Sequence, residues 1–310
     1  MRPPGGGPEW RTGSSGLRGS SPPGPTAPGI AGSRIRAGAA GEGAWVSAAT
    51  STLVLSSVLV TTGVFALAWG RQLATRNATS VDLLWTLGIG ATACLHAALG
   101  EGWLPRRLLV AALASIWAAR LAWHLSRRLG GGEDGRYAAL RQAAGARAGI
   151  VFLAVYLVQA ALVVGLGLVF VPLTRAVEAG WRASDLLALA VFGAAVLGES
   201  VADRQLERWR SEPAHRGRTC RTGLWRFSRH PNYLFEWLHW FTYPLLGLGL
   251  PRGEWLWLAP AGMFLLIRFV SGVPPAEAQA LRSRGDDYRD YQRSTHPFLP
   301  FPWRPGAGTA

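Results

Sequence analysis

An all-α, polytopic membrane helix bundle is the fold class that this chain of 310 residues predicts. Three observations predict it. Seven apolar stretches each approach the ~20 residues needed to cross a bilayer. Charged residues make up only 16% of the chain, against 49% hydrophobic, and they concentrate between those stretches. Fifteen Trp are present, a type that collects at membrane interfaces. No period-2 alternation runs longer than a few residues, so nothing argues for strands, and no repeat is evident.

In chain order, residues 1–43 are mostly Gly, Pro, Ser and Arg with little apolar content. Such a segment cannot bury enough surface to offset its chain entropy and is expected to be disordered. The apolar run after it is too long for a signal peptide and shows no cleavage pattern. The expected spans are 46–69, 82–100, 106–126, 149–171, 184–201, 234–250 and 254–272. Gly and Pro punctuate them, as membrane helices tolerate. The expected organisation is a Gly/Pro/Arg-rich tail (1–43), a membrane-embedded domain (44–304) and a flexible C-terminus (305–310).

Charge sets the expected topology. All 32 basic residues are Arg. With seven spans, the loops 70–81, 127–148 and 202–233 and the tail after 272 share one side and carry 20 Arg. The loops 101–105 (with Arg106 and Arg107 at the edge), 172–183 and 251–253 share the other and carry five. The positive-inside rule then puts the 202–233 loop and the C-terminus in the cytoplasm. The five Arg of the N-terminal tail sit against the rule. A net charge of +14 raises the question of nucleic acid, but these Arg lie between apolar spans and not on one amphipathic face, so no nucleic-acid partner is expected.

Charges inside spans need partners. Arg120, His124 and Arg127 recur at i, i+4 and i+7 on one helix face. Arg127 is placed to snorkel. Arg120, nearly two turns deeper, calls for a buried acid, and Glu199 or Asp203 on the fifth span would serve. Cys94 and Cys220 form no metal or redox pattern. The chain has no CxxC, HExxH or GxSxG, and no GxGxxG after a strand, so any nucleotide site is not of the Rossmann type.

The stretch Thr222 to Trp240, TGLWRFSRHPNYLFEWLHW, is the most informative. Arg226, Arg229, His230 and Asn232 fall within seven residues. Pro231 fixes the backbone, and Asn232 is expected to cap the helix that follows. Glu236 then enters an apolar span, with His239 beside it. A carboxylate there costs roughly 2.5–3.5 kcal/mol unless it meets a partner or a wet cavity. Cations at the membrane face, a helix N-terminus and a buried acid together suit an anionic, partly amphipathic ligand.

These residues carry a resemblance. Arg229-His-Pro-Asn-Tyr-Leu234 resembles the RHPNYL motif of sterol reductases, and Asn232, Glu236 and Trp240 keep the spacing of the steroid-reductase pattern. Phe235 stands where relatives have Gly. Ser80–Trp85, Glu133–Tyr137, the Asp203 stretch, Ser271–Glu277, and Arg282 followed by Tyr288, Tyr291 and Phe298-Leu-Pro300 extend the similarity over about residues 50–304. The chain thus resembles the steroid 5-alpha-reductase C-terminal domain superfamily, and most closely an uncharacterised bacterial membrane branch of it.

The resemblance implies NADPH-dependent reduction of a carbon–carbon double bond in a lipid or steroid-like substrate, in the bacterial plasma membrane with the site loops cytoplasmic. Such a site needs Arg for phosphates, and Arg226, Arg229 and Arg282 are candidates. It needs an amide for the nicotinamide, for which Asn232 is placed, and a proton donor, for which Glu236 and Tyr233 are nearest. His230, Tyr288 and Tyr291 complete the candidate cofactor set; His230 fits a ligand contact and a backbone bond equally. Isoprenylcysteine carboxyl methyltransferases share a shorter RHPxY pattern, so an S-adenosylmethionine-dependent transfer to a lipid-linked substrate is the competing enzyme reading. A non-catalytic lipid-binding protein is the third. Substrate identity and oligomeric state stay open.

Overall fold

The computed structural model of the chain describes residues 48–127 and 129–298. The expected tail 1–43 and C-terminus 305–310 lie outside them. Regular structure among the described residues is helical throughout: α1 (Ala48–Thr75), α2 (Val81–Leu99), α3 (Leu104–Ser126), α4 (Gly135–Ala144), α5 (Ala148–Gly167), α6 (Phe170–Arg175), α7 (Ala183–Ser211), α8 (Pro231–His239), α9 (Thr242–Leu246), α10 (Leu258–Leu265), α11 (Val273–Arg284) and α12 (Asp286–Ser294).

Among these residues, six segments are long and apolar enough to cross a membrane. Their outward faces carry large exposed apolar side chains, such as Leu59 on α1, Leu67 on α1, Ile150 on α5 and Leu186 on α7. A water-facing protein avoids contiguous apolar surface of this kind, whereas a lipid-facing one requires it. The expected count of seven uninterrupted helices is corrected at 234–250. That stretch is two short helices, α8 and α9, broken at Trp240–Phe241. The cause is Pro244, which lacks the N–H that would bond the Trp240 carbonyl one turn earlier. The broken pair still runs along α7.

The loops group as the alternation of spans demands. At one end, Gly102 N–H bonds Thr174 O (3.0 Å) and Trp103 N–H bonds Ala176 O (2.8 Å), while the Arg182 side chain bonds Leu248 O (2.9 Å). Arg106 is fully buried there and grips Asp185 through both guanidinium nitrogens, at 3.0 and 2.9 Å. At the other end, the loops after α1, α3 and α7 and the C-terminal helices meet. Glu133 accepts from Ala78 N–H (2.9 Å) and from Arg141 (2.9 and 2.7 Å), and Asp82 accepts from Arg136 (2.6 Å) and Tyr137 (2.7 Å). One buried core, including Phe65, Trp117, Phe152, Phe170, Trp240 and Tyr243, ties the helices together.

Candidate functional site

The site builds from the first turn of α8. Pro231 opens the helix, where its missing N–H costs nothing and its fixed φ is already helical. His230 therefore takes the cap position. Asn232, expected to cap, is instead the second helical residue. Its side-chain N–H donates to Asp203 Oδ1 at 3.3 Å, and its amide oxygen is buried with no hydrogen-bond partner. Tyr233 lies nearly parallel to the His230 ring, 5.4 Å between centroids.

Glu277 on α11 is a hub. Its Oε1 accepts from Arg229 Nε (2.7 Å), pairs with Arg229 Nη2 (2.7 Å), and meets His230 Nε2 (3.2 Å) and Tyr288 OH (3.4 Å). Its Oε2 accepts from Gln292 (2.9 Å). Arg229 Nη1 also donates to Gln292 O (2.9 Å) and Thr295 O (2.7 Å). Tyr291 OH donates to Trp225 O and to Ser228 O, and Ser228 Oγ to Phe298 O (2.9 Å). The α11–α12 pair is thereby stapled over the RHPNY loop. Burial lowers the His230 pKa against the pull of Glu277 and pushes the Tyr288 and Tyr291 phenols upward.

Beneath α8 a polar column runs inward. Arg120 forms ion pairs with both Glu199 and Asp203, as its depth on α3 demanded, and His124 Nδ1 lies 3.5 Å from Asp203. Glu236 is buried and accepts from two indoles, Trp117 Nε1 at 2.7 Å and Trp240 Nε1 at 3.2 Å. Those donors, with Arg120 nearby, offset the cost of a carboxylate at this depth. Trp117 stacks on His239 at 4.8 Å, and His239 Nε2 meets Tyr243 OH at 2.9 Å. The Phe235 ring fills the space over Gly198, where an added Cβ would come within 2.3 Å of it.

Above the column opens a cavity of about 790 Å³, within the roughly 300–1,000 Å³ of small-molecule and cofactor sites. Arg127, Arg136, Arg210, Arg216, Arg218, Arg229 and Arg284 line it, against the carboxylates of Asp134, Asp203 and Glu207. Of the candidate residues, Arg229, His230, Asn232, Tyr233, Tyr288 and Tyr291 stand on its wall, whereas Arg226, Glu236 and Arg282 do not. Arg226 is exposed above the Phe227 ring, and Arg282 is exposed and bonded to Gln279 (2.8 Å).

Arg284, which sequence reasoning passed over, lines the cavity where Arg282 does not. Residues two apart on a helix do not share a face, and the signal for the correct one was Tyr288 four residues on, whose ring Arg284 covers at 4.9 Å. Trp117 and Glu277 were missed as well. Each binds its partner across more than 40 residues of sequence, a contact that no local pattern announces.

The chain is 29% identical over 261 residues to an uncharacterised protein of the yeast Schizosaccharomyces pombe, an alignment covering 75% of each. No solved structure matches it. The model of a family described as "Protein of unknown function (DUF1295)" matches residues 68–295. With most of its length matched, and with the helical bundle and site loop described above, the chain belongs to this steroid 5-alpha-reductase-like family.

Proposed function

We propose that the protein is an integral membrane oxidoreductase that reduces a carbon–carbon double bond of a lipid or steroid-like substrate with NADPH. One observation carries the reading. The cavity is rich in arginine and holds two unpartnered polar atoms, Asn232 Oδ1 and Arg284 Nε. Buried polar atoms in native proteins are nearly always bonded, so an orphan acceptor and an orphan guanidinium N–H on the lining of one cavity suit a ligand with both a donor and anionic groups. A nicotinamide dinucleotide has both, and seven guanidiniums against three carboxylates suit its phosphates.

NADPH supplies a hydride equivalent when bound. The protein's residues do the rest. Asp203 holds the Asn232 amide so that its oxygen faces a carboxamide N–H. Tyr233, on the cavity wall and steadied against His230, holds the proton that reduction also requires. Glu236 lies off the wall; held by two indoles, it positions α8 against α3 and keeps the inner end polar. The arginine-rich end is the cytoplasmic one, where such a cofactor is found.

The charge of the cavity weighs against the methyltransferase reading, because the sulfonium of S-adenosylmethionine carries a positive charge and no phosphate. A purely lipid-binding role leaves the orphan amide unexplained. The test is a titration of the purified protein with NADPH and with S-adenosylmethionine side by side. Binding of NADPH alone supports the proposal, and binding of S-adenosylmethionine alone overturns it.

A further inference from the structure

We infer that the aromatic seam between α8 and α10 seats an anionic glycerophospholipid, with its phosphodiester on Arg268 and an acyl chain along Tyr233, Trp237 and Phe264. The inference rests on the reading above only where it makes this lipid the substrate; the binding stands without it.

Arg268 differs from the other charges set within the bundle. Arg106 pairs with Asp185, Arg120 pairs with Glu199 and Asp203, and Glu236 accepts from two indoles. Arg268 is half-buried in a segment long and apolar enough to cross a membrane, Gly253–Arg284. Among the described residues it has no ion pair and no hydrogen bond, and its guanidinium lies 5.1 Å from the Phe269 ring. An aromatic face attracts a cation but does not neutralise it. An arginine in an apolar span without an internal acid carries its head to the interface. On the arginine-rich side of the bundle, cytoplasmic by the positive-inside rule, that interface presents the phosphodiesters of anionic lipids.

The backbone brings that charge to the edge of the cavity. Leu266–Val270 is a π-helical turn, closed by Ser271 N–H on Leu266 O (2.8 Å), a form frequent at functional sites. Here the chain passes from Phe269 and Val270, exposed on the outside of the bundle, to Ser271 and Gly272 on the cavity wall. Gly272 admits no side chain, since an added Cβ would come within 2.6 Å of Ile267 O. The charge of Arg268 also reaches His230 on the same wall: second to burial, Arg229 and Arg268 help to lower that imidazole's pKa.

Tyr233 and Trp237, four residues apart, share a face of α8. Trp237 Nε1 donates to Pro260 O (2.9 Å) and so ties α8 to α10. Its ring lies 5.3 Å from that of Phe264, which lies 6.2 Å from that of Phe269. Tyr233, Trp237 and Phe264 are half-buried and Phe269 is exposed, so the row packs on the bundle with one side and meets the membrane with the other. It offers an acyl chain apolar ring surface that ends beside an unpaired cation. Tyr233 also lines the cavity. The upper part of a chain in the seam therefore lies beside the residue that holds the proton in the reading above, while the head stays in its own leaflet.

The experiment titrates the full-length, delipidated protein in detergent, without NADPH, with dioleoyl phosphatidylglycerol, dioleoyl phosphatidylcholine and oleic acid, and counts bound lipid by native mass spectrometry. The wild type is expected to prefer phosphatidylglycerol to phosphatidylcholine by about tenfold or more. Arg268→Gln is expected to bring that ratio toward one while phosphatidylcholine binding is kept, which also reports an intact fold. Arg268→Lys keeps the charge but loses the fork; it is expected to retain part of the preference and stands in should Arg268→Gln not fold. Arg71→Gln, an equal loss of charge on exposed α1 at the same end, is expected to leave the ratio unchanged. Equal wild-type binding of the two phospholipids overturns the inference. So does a ratio unmoved by Arg268→Gln, or one lowered as far by Arg71→Gln, which would make the preference a property of overall charge. Oleic acid bound as tightly as phosphatidylglycerol, and lost in Arg268→Gln, gives the seam to a carboxylate lipid and overturns the phospholipid assignment. NADPH binding is measured separately: its absence beside a selective seam fails the reductase reading alone, and its presence beside an unselective one fails the seam alone.

Discussion

Arg229 and Arg284 stand on walls of the same cavity, yet they do opposite work. Arg229 comes from the loop whose motif is most recognisable, and its charge and hydrogen bonds are consumed inside the protein by Glu277 and by the carbonyls of Gln292 and Thr295. Arg284 was no part of the motif residues read on its helix and keeps an unpartnered Nε. The RHPNY–Glu277 region is a closed network that makes the site possible. The Asn232–Arg284 region is an open one, with two buried polar atoms left without a partner. A motif in sequence therefore marks either a ligand or the frame that holds it, and only the count of satisfied donors and acceptors separates the two.

The largest expected effect breaks the closed network. Glu277→Ala removes the acceptor of Arg229, His230, Tyr288 and Gln292 and leaves a buried cation behind. A loss of about 3–5 kcal/mol is expected, read as a lower unfolding midpoint in detergent and protease sensitivity of α11–α12. Unchanged stability would show that the hub is not what staples these helices.

Gly198→Ala tests the accommodation of Phe235. The added methyl meets the ring at 2.3 Å, so overpacking of about 1–3 kcal/mol is expected. In a Phe235→Ala background the same Gly198→Ala change should cost little, and an equal cost in both backgrounds would mean that the ring is not the obstacle. Trp117→Phe deletes one of the two donors to Glu236 and is expected to cost a similar 1–3 kcal/mol. Glu236→Gln in that background should lose less than in the wild type, a coupling measurable by a double-mutant cycle.

The smallest effect is on pH. His230 is buried and its pKa lies below the ordinary 6.5, so the unfolded chain binds the proton more readily. Its contribution to stability is complete above 6.5 and is lost as pH falls from there through the lower folded value. His230→Gln should flatten that part of the stability profile, and an unaltered slope would assign the acid sensitivity elsewhere.

Much of this was legible in the sequence. The helical class, the grouping of loops and the Arg120 pairing with Glu199 and Asp203 follow from apolar length, arginine placement and the cost of an unpaired charge at depth. The break at Trp240–Phe241 was present in Pro244 but hidden by an apolar run that reads as continuous. Asn232 was read as a cap from residue type alone, and Pro231 shifted the helix start by two residues. Six of the nine candidate residues reach the cavity. Arg226 and Arg282 do not, because charge in a sequence does not state the face on which it emerges. Trp117, Glu277 and Arg284 act through contacts distant in sequence, or through a face, that no spacing encodes.

The central claim is that the orphan amide of Asn232 and the arginine-rich wall hold a dinucleotide between them. NADPH titrated into wild type and Asn232→Ala, at equal measured stability, tests it most directly. The account predicts that NADPH binds the wild type and that the substitution weakens binding about tenfold or more, since a polar group in the ligand is then left unpaired. NADPH binding unaltered by Asn232→Ala, or absent from the wild type, would contradict it.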